Sequence, residues 1–262
     1  MSPTRPRQLN CKQVLFTAFL CVLLGGGTLT TTPSLDEALT KVDSLRSKGQ
    51  FQAALSHLDS LARAHRDTVV VQWRRALLLA DRGKRADQTD RKIVLYKRSL
   101  RAAHTALALD STNAWAHLTT ALAHGRLSLH VGTSERIRRS RSVKQHADRA
   151  LRIDSTLAPA YHLRGRWHRQ VADLNLLERA LVKGLYGGLP DASFRQSVRN
   201  FRQAIALESK PYNHLELAKT YLAMDRPEAA RPQLRKCLAT SGSPFDAEYK
   251  REARSLLANI GE

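Results

Sequence analysis

The side chains best placed for chemistry are cationic. His162, Arg166 and Arg169 fall at i, i+4 and i+7, a spacing that puts them on one face of a helix. Lys219 takes the like position one structural unit later. A guanidinium fork matches a carboxylate or phosphate, so these four residues form a candidate ligand-binding face for an anion. Arg136, Arg138, Arg139 and Arg141, with Lys144, make the densest basic run in the chain. Such a run suits contact with a membrane or another acidic surface, where each cation contributes about 1 kcal/mol. The plain alternative for both groups is a solvated helix face.

No catalytic residue is expected. Glu178 has no second acid or histidine spaced to work with it. With Arg179 it reads as a buried or half-buried structural pair. His104, His117 and His124 lie near one another in the sequence without a cysteine or carboxylate to complete a ligand set, so the metal and cofactor expectation is none. Cys11 and Cys21 lie near the N-terminus, and Cys237 falls where a helix wants a small buried residue. No disulfide framework follows.

These side chains need a scaffold, and the scaffold is repetitive. Ala106–Thr112 (ALALDST), Ala150–Thr156 (ALRIDST) and Ala204–Lys210 (AIALESK) are near copies, each followed by a second helical stretch. Small-plus-aliphatic pairs recur at Leu61/Ala62, Ala106/Leu107, Ala150/Leu151, Ala204/Ile205 and Cys237/Leu238. A unit of this size marks a helical solenoid, in which each helix pair buries its apolar face on the next. The pattern is that of a tetratricopeptide repeat of roughly 34 residues. Longer spacings place extra residues between paired helices at Arg82–Lys92, Ser128–Ser142 and about Asp173–Ala192. Gly49 serves the first inter-helix turn, Asp110 and Asp154 stop their helices, and Ser193 caps the helix that follows the third insertion. Trp115, Tyr161 and Trp167 read as core between repeats. The fold expected is all-α: about five tetratricopeptide-like helix pairs with a C-terminal capping helix over Glu248–Ile260, in one domain spanning 35–262.

Before that domain, Arg5, Arg7 and Lys12 precede the apolar run Val14–Leu24 and then Gly25–Gly27. This is the layout of a signal peptide over 1–27, and its apolar run of 11 residues is shorter than the roughly 20 that span a bilayer as a helix. A retained N-terminal anchor is the other reading, and 28–34 is a linker. Localisation is therefore expected to be exported, periplasmic or secreted, or tethered to a membrane. The formal net charge of +20 is carried mainly by arginines along the whole chain. Without interleaved aromatics it does not point to nucleic acid.

His162–Leu207 goes beyond generic repeat character. Gly165-Arg166-Trp167, Val171-Ala172, Leu177-Glu178-Arg179, Tyr186-Gly187, Pro190 and Ala192-Ser193-Phe194 stand in the order found in the regulator of microtubule dynamics family, which this chain resembles. A weaker match extends from about Val69 to Ile260. Arg164 departs where an apolar residue is usual, and Leu176 where Trp is common. The resemblance implies a tetratricopeptide-like array. Animal members are associated with microtubules or anchored to membranes, and some are linked to phospholipid.

The expected function is a non-catalytic scaffold that binds a protein or peptide, or another acidic ligand, in a basic concave groove. The alternative is a phospholipid-binding protein whose 173–192 insertion folds over the concave face, with Arg166 and Arg169 at the mouth of an apolar pocket. Anionic lipid is a partner on that reading. The sequence assigns no oligomeric state.

Overall fold

The computed structural model describes residues 34–64, 68–186 and 191–261, and the N-terminal signal or anchor reading lies outside them. The described residues form helices and no strand. The order is α1 (Leu35–Ser47), α2 (Phe51–Ala64), α3 (Val69–Arg85), α4 (Thr89–Leu109), α5 (Ala114–Ser128), α6 (Thr133–Ile153), α7 (Ala158–Ala172), α8 (Leu176–Tyr186), α9 (Phe194–Leu207), α10 (Pro211–Leu222), α11 (Pro227–Ala239) and α12 (Asp246–Asn259). None of the described helices is long and apolar enough to cross a membrane.

Pairing follows the sequence period. The pairs are α1 with α2, α3 with α4, α5 with α6, α7 with α9, and α10 with α11, and α12 caps the stack. The small residues of the repeat pairs lie in the core: Ala106, Ala150, Ala204 and Cys237 are all fully buried. A helix pair can close to packing distance only where no large side chain intervenes. Burial also drives the Cys237 thiol up to about 11, which leaves it an unreactive core residue.

The stops and starts are local chemistry. Asp110 Oδ1 accepts from the Thr112 amide at 2.8 Å, and Asp154 Oδ1 does the same for Thr156 at 2.8 Å. Such turns satisfy backbone groups that the ending helix leaves open. Gly49 turns α1 into α2 at φ +74°, a conformation that other residues resist. Ser34 caps α1 with a reciprocal bond to Glu37, and the Ser193 hydroxyl accepts from the Gln196 amide at 3.2 Å.

Two of the expected insertions are not loops. The extra residues of the second and third units lengthen α4 and α6, each of 21 residues. Only the third is a true insertion, and it contains α8. α8 packs on α6 of the preceding pair rather than across the first helices of the repeats.

The array curls far enough for its ends to meet. Phe245, just before α12, stacks on Phe51 at 5.5 Å between centroids. Lys84 of α3 forms an ion pair with Glu248 at 3.0 Å, and Arg85 donates to the Pro244 carbonyl at 2.7 Å. The Lys84 ammonium also lies 3.8 Å from the Phe245 ring centre and 4.1 Å from that of Tyr249. Phe245 belongs to the same apolar cluster as Phe51, Leu58 and Leu78. Ser34–Glu262 is a compact unit, and among the described residues the apolar clusters draw their members from 35–260.

Candidate functional site

α7 carries His162, Arg166 and Arg169, and its neighbour α10 carries Lys219. Arg166, Arg169 and Lys219 converge, and their meeting point is a carboxylate that sequence reasoning missed. Glu216 accepts a hydrogen bond from Arg169 Nη2. Arg166 Nε lies 3.7 Å from it, and Lys219 Nζ 3.6 Å. Burial pulls the Glu216 carboxyl upward, but Arg166, Arg169 and Lys219 together outweigh it and hold the group well below the usual carboxylate range. Lys219 is shared with Glu252 of α12 at 2.7 Å. The signal for Glu216 was its place on the same helix, three residues before Lys219.

His162 is a positioned neutral ring. Its Nδ1 is 2.8 Å from Asn213 Oδ1, so that nitrogen carries the proton. Asn213 is fully buried and donates in turn to the Glu208 carbonyl at 3.1 Å. Burial, then the Arg166 charge, lowers the His162 pKa to about 4. Arg166 and Arg169 each keep an Nε that is buried without a hydrogen-bond partner. Arg164, the family departure, is accounted for: its Nε donates to Asn200 Oδ1 at 2.5 Å and its guanidinium is 3.6 Å from Asp148.

The second basic run occupies the N-terminal half of α6 and is partly neutralised there. Arg138 and Arg139 both pair with Glu135, at 2.6 and 2.8 Å. Lys144 pairs with Asp148 and lies 5.4 Å from the Trp167 ring centre. Arg136 and Arg141 are exposed on the same helix.

Glu178 and Arg179 do not pair with each other. Glu178 exchanges hydrogen bonds with Asn175 at the start of α8, while Arg179 donates to the Ala172 and Leu174 carbonyls, both at 2.9 Å. Adjacent residues on a helix point about 100° apart, which explains the separation. Trp115 stacks on Trp73 at 4.7 Å, and Trp167 is buried, as core aromatics should be. Among the described residues no group of three or more His, Cys, Asp or Glu is placed to hold a metal ion. The histidines do cluster, however. His146 of α6 joins His117 and His124, its Nδ1 2.9 Å from that of His117.

A cleft of about 260 Å³ lies beneath α8, walled by Leu129, Ile137, Val171, Leu174 and Val182 with Arg136 at its side. An adjoining recess of about 50 Å³ includes Arg126 and Arg166. This cleft lies where α8 packs beside α6 and the end of α7. Arg166 lies in the side recess, and Arg169 is turned away to Glu216.

Paired antiparallel helices stacked in register define a tetratricopeptide-type α-solenoid. A crystal structure of a thermophilic tetratricopeptide-repeat protein from Thermus thermophilus superposes with a TM-score of 0.61 at 20% identity, over 85% of this chain and 98% of that one. The family profile of regulator of microtubule dynamics proteins 1-3 matches residues 38–261, and the chain belongs to that family. Regulator of microtubule dynamics protein 3 of Xenopus laevis is 30% identical over 68% of this chain but only 39% of its own length. The corresponding protein 1 of Caenorhabditis elegans is 31% identical over 58% of this chain and 68% of its own. That of Mus musculus is 24% identical over 87% and 76%.

Proposed function

We propose that this protein is a non-catalytic helical scaffold that binds an acidic protein segment at the face built by His162, Arg166, Arg169 and Lys219. Tetratricopeptide-type arrays generally serve as preformed binding surfaces, so affinity needs little ordering of the protein. The observation that carries the reading is the Glu216 cluster. One internal carboxylate already occupies the place where cations converge, and Arg166 and Arg169 beside it each keep an Nε without a hydrogen bond. A partner's carboxylate would add to that cluster or replace Glu216 in it. A peptide array run with residues 34–262 tests this. Acidic peptides should bind, binding should weaken with salt, and Arg166→Gln should abolish the preference for acidic over neutral sequences. Equal binding of both sequence types would overturn the reading.

The cleft beneath α8 supports a second reading, an amphipathic anion such as a phospholipid. Its apolar walls suit an acyl chain, and Arg136, with Arg166 in the recess, suits a headgroup. Native mass spectrometry of residues 34–262, with extraction and identification of co-purified lipid, separates this reading from the first.

A further inference from the structure

We propose that the outward face of α8 is a membrane-docking surface, which seats its leucines in a bilayer containing anionic lipid. α8 is amphipathic in the reverse sense to a core helix. At 100° per residue Leu176, Leu177, Ala180, Leu181 and Gly184 share one side, and no charged residue interrupts it. That side faces solvent: Leu176 is 87% exposed, Leu177 72% and Leu181 44%. The inner side holds Val182, which is buried, and Glu178, which lines the cleft. Leu129, 57% exposed, adds to the apolar surface at the cleft edge. Leu109, Ile153 and Leu207 are also partly exposed, but each stands singly at the end of its own helix, and such residues need no partner.

Charge decides the occupant. Arg179 and Lys183, one turn apart and both exposed, run along the edge of the leucine face. Exposed Arg136 lies on α6, the helix against which α8 packs. The acid on α8, Glu178, is turned inward to the Asn175 amide. An apolar strip edged by cations is the pattern of a helix lying in the plane of a membrane interface, with the basic heads reaching the phosphates. A second copy of the chain would set the same cations against these. Residues 1–33, with Arg5, Arg7 and Lys12 and no acid before Asp36, would do likewise. A bilayer of anionic lipid meets both needs at once. At 1.5 Å per residue, α8 would lay about 16 Å of helix on the surface. The inference stands apart from the groove on α7 and α10 and uses none of its residues.

Sedimentation of residues 34–262 with vesicles of phosphatidylcholine and phosphatidylserine in equal parts tests it. The parent should bind these vesicles, and more weakly those of phosphatidylcholine alone. Replacing Leu176, Leu177 and Leu181 together by Ser should lower partitioning by about tenfold or more. Lys183→Gln with Arg136→Gln should weaken binding several-fold, and only on the anionic vesicles. A second readout uses Leu177→Cys carrying an environment-sensitive dye, since the other cysteine in this unit, Cys237, is buried. Its emission should shift to the blue on vesicle addition, while a dye at Ser56→Cys on α2 should not respond. Absence of vesicle binding, an unshifted dye at 177, or undiminished binding of the triple-serine variant would overturn the proposal. So would self-association that the serine changes abolish in the absence of any vesicle binding, which would assign the face to a second copy.

Discussion

Gly165 of α7 meets the ring of Phe201 on α9, and a β-carbon at that glycine would lie 3.0 Å from the aromatic carbons. The same arrangement recurs one arm of the array away, where a β-carbon at Gly83 of α3 would come within 2.4 Å of Tyr96 on α4. In both places an aromatic of the second helix fills the gap left on the first. Alanine normally stabilises a helix interior relative to glycine by about 1 kcal/mol. Here the clash reverses the sign. Gly83→Ala should destabilise by about 1–3 kcal/mol and Gly165→Ala by less, as read from urea unfolding midpoints. A more stable Gly83→Ala variant would refute the close approach.

Glu216 is the acid on which Arg166, Arg169 and Lys219 converge. Removing its charge leaves those cations without their shared partner in a buried setting, and Glu216→Gln should cost about 3–5 kcal/mol. Its pKa is lowered on folding, so its contribution is present above the ordinary carboxylate range and is lost as pH falls below it. The parent should therefore lose stability below about pH 4.5 more steeply than Glu216→Gln does. Parallel acid-unfolding curves would contradict this.

A separate loss belongs to the histidines. Burial, as the leading cause, lowers His124, His146, His162 and His168 to about 4, with the next contribution coming from Arg139, His117, Arg166 and Lys144 respectively. The unfolded chain then binds more protons than the folded one between about pH 6.5 and 4, so stability falls as pH drops through that window. Unfolding midpoints at stepped pH should show the decline, and His146→Gln should flatten it.

The contact between the two ends of the array can be tested directly. Phe245→Ala removes the stack on Phe51 and should cost about 3–5 kcal/mol. Amide exchange should quicken in α3 as well as in α12, and acceleration confined to α12 would show that the ends are not coupled. Lys84, at the same contact, is lowered to about 8, chiefly by burial against the opposing pull of Glu248. Between about pH 8 and 10.5 the unfolded state holds more protons than the folded one, so stability should rise with pH across that interval.

Much of this architecture was legible because repeats write their packing into the sequence. Ala106, Ala150, Ala204 and Cys237 are fully buried, and each stands in the recurring pair. The longer spacings misled because length alone does not distinguish a loop from extra helical turns. Arg82–Lys92 and Ser128–Ser142 contain no proline, and most of their residues simply extend helices. At the candidate site His162, Arg166 and Arg169 were read from helical spacing and Lys219 from its like position one unit later. Glu216 was not, because a lone acid in a basic chain carries no periodic signal. The direction in which α8 turns its leucines was equally hidden, since periodicity shows that a helix has an apolar face and not what that face meets.

Closure also bears on how such a chain can change over evolutionary time. An open solenoid gains or loses units at either end with little consequence for the rest. Here one more or one fewer helix pair would rotate and displace the terminal segment, lifting Phe245 from Phe51 and Lys84 from Glu248. Closure therefore ties these contacts to the number of helix pairs, while the long α4 and α6 and the lateral α8 hold their extra residues without adding a pair.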